Sequence, residues 1–496
     1  MLTKRWFSYA CILGAIWLVF GLSLGNERIG DDSALLQMRL DPGNVVDAAQ
    51  LWQENYWGAL DDSGLYRPLA LTLLYAERLA FGLTEWPYRA VNLLLYSLCC
   101  ILCFSFLSQF TGRIAALAAA LLFAVHPAHV EVVVTAYGQV EMLASILVLA
   151  ALAAHVKSVR NDSLFWTAIA AAAYLGALLS KESAVCFPVL AALTRGFWIE
   201  SVPPAKWRWF ARRDALYLGA LAIYAAMKIS TLDVIGTPDH AATLSGFSLT
   251  RKVFTIATNG LGNYVRLSIF PESQSIIYDV FNSPLADACW VLAGILLLLL
   301  SARILGTKPV YYAAAWFAAT WFIFSNLVVP TGVFVAERCL FLPIFAVCFL
   351  FGLYAERAAT ASSRIFPALL ALILILCAAQ STRTAWNWRT EESSLRASIA
   401  EHPLSPEARS ILALTLLLKH NRSTGDSKEA TTLLNAVLER FPGVPEAHRG
   451  LGLAAKARGD FSGAIGHLRR AIELRPRDVM FQQDLAECER LAAGPP

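Results

Sequence analysis

Apolar stretches long enough to cross a bilayer recur along most of this chain, and no other feature restricts its fold so severely. Inside hydrocarbon a backbone must satisfy its own hydrogen bonds, so apolar runs of about 20 residues are read as helices. The first run lies near Trp6–Leu24. Others fall near Tyr88–Phe110, Ile114–Val125, Glu141–Val156, Phe165–Leu179, Ala184–Phe197 and Ala215–Ile229. Only 16% of the 496 residues are charged, against about 25% in a soluble domain. The expected architecture is all-α and polytopic, with about eleven spans.

Basic residues orient those spans, because cytoplasmic loops carry the excess of Lys and Arg. Lys4 and Arg5 precede the first run, so the N-terminus is expected inside and the following polar segment outside. Arg113, Lys157 and Arg160 mark further inner turns, and the Arg195 to Arg213 loop, with Lys206, Arg208, Arg212 and Arg213, is the most basic. A segment with Pro238, Asp239 and His240 returns outside. Val253–Phe270 carries Asn259, Gly260, Gly262, Asn263 and Arg266 and reads as interfacial or re-entrant. That reading leaves the C-terminus outside; if the stretch spans, the C-terminus is inside. Met1 to Gly25 reads as an uncleaved signal anchor.

The formal charge of +4 is too small to imply nucleic acid. The ten cysteines show no metal-ligand spacing. Seven of them (Cys99, Cys100, Cys103, Cys186, Cys339, Cys348 and Cys377) lie in apolar segments and read as small apolar residues.

After Ala379 the chain becomes charged and soluble in character. Ala447, Leu451-Gly452, Gly459-Asp460-Phe461, Ala464, Ala471, Leu474 and Pro476 fall at the spacing of a tetratricopeptide repeat, where small residues let paired helices pack closely. A looser unit runs through Pro406-Glu407-Ala408, Ala413, Ala430, Ala436 and Pro442. The expected division is a membrane domain over 1–380, a junction over 381–405 and a repeat α-solenoid over 406–496.

Polar motifs interrupt the apolar sequence at points that this topology places on the outer face. An acidic pair, Asp31-Asp32, follows the first span closely. A carboxylate there can accept a proton from a hydroxyl that attacks an activated carbon; a solvated turn or a helix cap is the alternative. Arg67, Lys181 and Arg338 can bind phosphate, Arg through its planar fork and Lys as a point charge. Against this, Arg67 and Arg338 can snorkel to the interface, and Lys181-Glu182 can neutralise each other. His126, His129 and Glu131 read as hydrogen-bonding residues of a polar pocket rather than metal ligands, and no metal site is assigned. Glu141 reads as a cation's partner or a helix start.

Taken in order, these motifs resemble those of the transmembrane and tetratricopeptide-repeat family of protein O-mannosyltransferases, in the GT-C glycosyltransferase superfamily. The matching segments are Asp31-Asp32, Tyr66 to Leu69, His126 to Glu131, Gly138 to Glu141, Lys181-Glu182, and Ala336-Glu337-Arg338 with Leu342-Pro343. Gly30 stands where the family has an aromatic residue. The resemblance implies a polyprenyl-phosphate donor carrying a mannose-like sugar and inverting transfer to Ser or Thr hydroxyls of an acceptor polypeptide on the outer face. It implies Asp31 as the catalytic residue, with Asp32 as the fallback. Arg338, Lys181 and Arg67 are implied at the donor phosphate, with Tyr66, His126, His129, Glu131, Glu141, Glu182 and Glu337 around the pocket. The repeats would recruit the acceptor from the periplasm of a bacterium, or from the endoplasmic reticulum lumen in a eukaryote. Two rivals stand beside this: a GT-C enzyme that modifies a glycan or lipid, and a non-catalytic membrane scaffold. A scaffold has no need of the outer polar cluster.

Overall fold

The structure, a computed structural model, describes residues 5–45, 47–60, 64–199, 214–232, 244, 247–271, 275, 278, 284–328, 333–361, 364–418, 424–476 and 478–493. Lys4, the basic residues Lys206, Arg208, Arg212 and Arg213, and Pro238, Asp239 and His240 lie outside the described residues. The chain divides into two compact units, Met1–Glu272 with Val280–Trp388 and Ser273–Asp279 with Arg389–Pro496. Among the described residues both are helical, with no strand.

The first unit contains α1 (Arg5–Phe20), α2 (Asp31–Ser33), α3 (Pro68–Phe81), α4 (Glu85–Leu107), α5 (Arg113–Val125), α6 (Val130–Val134), α7 (Gln139–Asn161) and α8 (Leu164–Ser180). It continues with α9 (Phe187–Thr194), α10 (Ala215–Thr231), α11 (Leu249–Thr255), α12 (Leu261–Ile269), α13 (Pro284–Leu305), α14 (Thr307–Trp321), α15 (Ile344–Thr360) and α16 (Ile365–Asn387). Six stretches among the described residues are long and apolar enough to cross a membrane: Arg5–Gly25, Glu85–Leu107, Gln139–Asn161, Glu182–Ile199, Pro284–Leu305 and Ile365–Asn387. The helices Arg113–Val125 and Pro127–Val134 make a seventh if joined across their 56° bend. That bend falls at His126-Pro127, where His126 is extended, because the residue before proline disfavours the helical conformation. The protein is therefore a multi-pass membrane protein. The expected count of about eleven would need shorter apolar helices such as α8 and α10 to cross as well.

Small residues allow the bundle to close. The face of α5 that carries Ala115, Ala116, Ala119 and Ala120 is buried, and α5 packs against α15. A Cβ on Gly352 of α15 would lie 2.3 Å from the Ala115 carbonyl oxygen, so only glycine permits this crossing. The ambiguous stretch over Val253–Phe270 is helical as α11, a π turn over Ile256–Gly260, and α12. Its polar residues turn toward protein: Asn259 donates to Asp287 Oδ2 at 2.9 Å, and a Cβ on Gly262 would meet the Asp287 carbonyl oxygen at 2.2 Å. Such inward pairing is how polar groups are tolerated beside hydrocarbon.

The second unit comprises α17 (Glu391–Glu401), α18 (Pro406–Leu418), α19 (Thr424–Arg440), α20 (Pro445–Ala457), α21 (Phe461–Leu474) and α22 (Val479–Ala492), each packed on the next. Thr390 and Ser393 form a capping box on α17. Asp460 caps α21 through its bond from the Gly463 amide, and Asp478 caps α22. The small residues Ala447, Gly452, Ala464 and Ala471 are buried where α20 meets its neighbours.

Candidate active site

Gly30 starts the site. Its φ of 57° and ψ of −125° lie where a side chain is strained, and this conformation begins the short turn α2. Consecutive residues of a helical turn point about 100° apart, so the acidic pair splits. Asp32 turns inward and is fully buried. Its Oδ2 accepts from Nη1 and Nη2 of Arg89, each at 3.0 Å, and its Oδ1 accepts from the Tyr137 amide at 2.9 Å. Arg89 Nη2 also donates to the Glu27 carbonyl oxygen at 2.6 Å.

Asp31 turns outward. It is exposed and has no hydrogen bond or ion pair among the described residues. Protein nevertheless surrounds it closely enough that burial raises its pKa above the usual carboxylate value. Arg338 opposes that rise, Asp32 and Glu131 add to it, and Arg67 opposes it.

Four ion pairs join distant parts of the chain, and members of three of them, Arg338, Asp32, Glu131 and Arg67, act electrostatically on the Asp31 carboxylate. Arg89 holds Asp32. Arg338 is paired with Glu131 on α6, and its backbone N–H also donates to Glu131 Oε2 at 2.9 Å. Tyr137 joins these first two pairs. Its amide bonds Asp32, its hydroxyl donates to Glu131 Oε1 at 3.2 Å, and its ring lies 5.9 Å from the Arg338 guanidinium. Arg67 grips Glu182 with both arms of its fork, Nε donating to Oε2 at 2.9 Å, and lies 5.0 Å from the Tyr56 ring centre. Lys181 pairs with Glu141, both of them buried, and lies 5.5 Å from the Phe324 ring.

The last two pairs replace the self-neutralising Lys181-Glu182 pair. Lys181 has extended backbone angles (φ −158°, ψ 137°) at the end of α8. Neighbouring side chains then point to opposite sides, and each finds a different partner.

The two histidines do not join the cluster. His126 Nδ1 accepts from the Ala128 amide and its Nε2 donates to the Ser268 carbonyl oxygen at 3.2 Å. His129 is buried between Phe123 and Phe341, with Tyr96 Oη 2.9 Å from its Nδ1 and the Phe341 carbonyl oxygen 3.2 Å from its Nε2. Both histidines are hydrogen-bonded, as the sequence reading expects, and they hold the corner between α5 and α6. Tyr66 is also buried and donates to the Trp52 carbonyl oxygen at 2.9 Å, and Glu337 is buried beside Arg338 in sequence. Among the described residues no group of three or more His, Cys, Asp or Glu is arranged to hold a metal ion.

Sequence reasoning placed the Tyr88 to Asn92 segment among the outer-face polar motifs but gave Arg89 no role, and it missed Tyr137. Arg89 had a signal, being a charged residue near the start of an apolar span. Tyr137 had only its position beside Gly138, where a Cβ would lie 2.0 Å from the Val132 carbonyl oxygen.

Fold and site together define a multi-pass α-helical membrane protein whose long-range ion pairs leave Asp31 unpaired among the described residues. Comparison with known proteins narrows that class. Residues 46–197 match the family described as oligosaccharyl transferase STT3, N-terminal. The chain is 23% identical over 425 residues to the human protein O-mannosyl-transferase TMTC3, covering 77% of this chain and 46% of that protein. It is 24% identical over 473 residues to mouse protein O-mannosyl-transferase TMTC4, covering 78% and 61% respectively. It thus spans about half the length of the curated relatives it matches. The crystal structure of ArnT from Cupriavidus metallidurans bound to undecaprenyl phosphate aligns over 97% of this chain and 77% of that one, at 15% identity and a TM-score of 0.45. The resemblance read from the motifs is borne out: over most of its length this chain is similar to the transmembrane and tetratricopeptide-repeat O-mannosyltransferases.

Proposed function

We propose that this protein transfers a mannose-like sugar from a polyprenyl-phosphate carrier to Ser or Thr hydroxyls of a polypeptide at the outer membrane face, with Asp31 as the general base. One observation carries the choice of base. Of the six acidic residues singled out from the sequence, Asp32, Glu131, Glu141 and Glu182 are each held by a cation, Glu337 is buried, and Asp31 alone is both exposed and unpartnered among the described residues. A carboxylate already bound by a guanidinium is a poor proton acceptor; an accessible one with no such partner and a raised pKa is a better one. The names of the relatives support the reaction class and the acceptor, and the motif resemblance supports the donor class.

In this reading Asp31 takes the hydroxyl proton as the acceptor oxygen bonds the anomeric carbon. The bond from that carbon to the carrier phosphate oxygen breaks on the opposite side, and its electron pair leaves with the polyprenyl phosphate, inverting the centre. Arg338 stabilises the departing charge, since its side chain stays 29% exposed and its charge acts on Asp31. The second unit acts as a short tetratricopeptide-type array that presents the acceptor.

The test is mass spectrometry of acceptor proteins with and without the protein, paired with Asp31→Asn. That change keeps the size and removes the basicity, so transfer should fall roughly a hundredfold or more. Activity of the wild type should fall as pH drops through the raised pKa of Asp31. A fully active Asp31→Asn enzyme removes the assignment, and sugar found only on lipid or glycan moves the acceptor away from protein.

A further inference from the structure

The four cations of the cluster are already neutralised: Arg89 by Asp32, Arg338 by Glu131, Arg67 by Glu182 and Lys181 by Glu141. A phosphate arriving there meets cations that each already hold a carboxylate, and of Arg89, Lys181 and Arg338 only Arg338 keeps a sizeable part of its side chain exposed. A fifth cation faces the same cluster and is not so held. Lys228 lies in the last turn of α10, half-buried, with no hydrogen bond or ion pair among the described residues.

The direction of Lys228 follows from its helix. Tyr224, one turn earlier, donates from its hydroxyl to the Tyr66 carbonyl oxygen at 3.3 Å, and the two rings lie 6.2 Å apart. Thr231, at the end of the helix, lies close enough to the Tyr66 hydroxyl to affect it. Positions 224, 228 and 231 share one helical face, so Lys228 is turned toward Tyr66-Arg67. Its charge accordingly interacts with those of Glu182 and Arg67. Arg67 in turn interacts with Asp31. The Asp31 carboxylate and the Lys228 ammonium, both without a partner among the described residues, therefore both lie within electrostatic range of Arg67.

We infer that Lys228 recognises the phosphate of the lipid-linked donor, as the free cation that complements the free base Asp31. The inference rests on the reading of the protein as a polyprenyl-phosphate-dependent transferase. A compact ammonium suits a phosphate that must be released after transfer, because it makes no rigid bidentate grip. A merely structural Lys228 would instead be a snorkelling residue at a helix C-terminus, where the helix dipole favours a positive charge.

Purified full-length protein in detergent separates these roles. Undecaprenyl phosphate, phosphatidylglycerol and inorganic phosphate serve as probes, and binding is measured directly alongside the donor KM. Lys228→Gln should bind undecaprenyl phosphate about tenfold or more weakly and raise the donor KM by a similar factor. Its kcat at saturating donor should stay within about threefold, a rate effect smaller than one decade of barrier. Lys228→Arg should restore most of the binding, which excludes misfolding as the cause. Asp31→Asn should bind the probe as the wild type does. Unchanged binding in Lys228→Gln overturns the inference and leaves the snorkelling role. An equal loss for phosphatidylglycerol, or for inorganic phosphate alone, also overturns it by making the contact unspecific or meant for free anion. If wild-type protein transfers sugar yet Lys228→Gln keeps its donor KM, only this inference falls. If wild-type protein binds no undecaprenyl phosphate, the proposed function falls with it.

Discussion

Replacing Arg89 with leucine should destabilise the first unit around the acidic turn more than any loss of a surface charge. Arg89 and Asp32 are 1% and 0% exposed, and two charge-assisted bonds at 3.0 Å join them. Removing one member of such a buried pair leaves an uncompensated charge and costs about 3–5 kcal/mol. Asp32→Leu should cost a similar amount, because Arg89 would keep only the Glu27 carbonyl oxygen as an acceptor. The double substitution should cost far less than the sum of the two. With both charges gone, the main remaining penalty is the orphaned Tyr137 amide, worth about 1–3 kcal/mol. Denaturant unfolding in mixed micelles, followed by tryptophan fluorescence, gives the three midpoints, provided the slopes agree. The double-mutant cycle then yields the coupling directly. A single-variant loss below about 1 kcal/mol, or strict additivity in the cycle, would falsify the claim that this pair anchors the acidic turn and leaves Asp31 free.

Glu77 offers a pH test away from the chemistry. It is buried on α3, and desolvation raises its pKa from 4.5 to about 7, only partly opposed by the Gln139 amide. Because the folded value is the higher, its stabilising contribution is complete below pH 4.5 and is lost as pH rises through about 7. Glu77→Gln should flatten that decline and be more stable than wild type at pH 8 by roughly 2–3 kcal/mol; equal slopes in the two proteins would count against it. Gly30→Ala should cost about 1–2 kcal/mol from its positive φ alone, since the nearest neighbour, in the Tyr137 ring, is an ordinary 3.8 Å away. Transfer should fall further than melting temperature does, as Asp31 is re-aimed; parallel losses would make Gly30 purely structural. Ending the chain after Arg389 should spare transfer to a short soluble peptide and reduce modification of full-length acceptors, as judged by peptide assay and mass spectrometry. Equal loss of both would make the second unit part of the catalytic body.

The sequence by itself determined the solvent and the element type. Long apolar runs leave a membrane chain little besides helices, and Pro127 marks the break at His126 because its ring excludes the preceding residue from helical angles. The sequence also marked the chemistry-bearing residue types, since charges such as Asp31, Arg67, Lys181, Glu182 and Arg338 persist beside hydrocarbon only where something repays their desolvation. Partnership was decided by tertiary structure. The paired residues are separated by 57 positions for Arg89 and Asp32, 115 for Arg67 and Glu182, 40 for Lys181 and Glu141, and 207 for Arg338 and Glu131. No local periodicity reports on contacts at such separations. Adjacent residues, by contrast, were driven apart: one helical turn sends Asp31 out and Asp32 in, and one extended residue separates Lys181 from Glu182. The inward turn of His126 and His129, and the facing of Lys228 toward Tyr66, follow from the same cause. Sequence determines which side chains a helix carries, whereas the rotation and crossing of packed helices determine what each one meets.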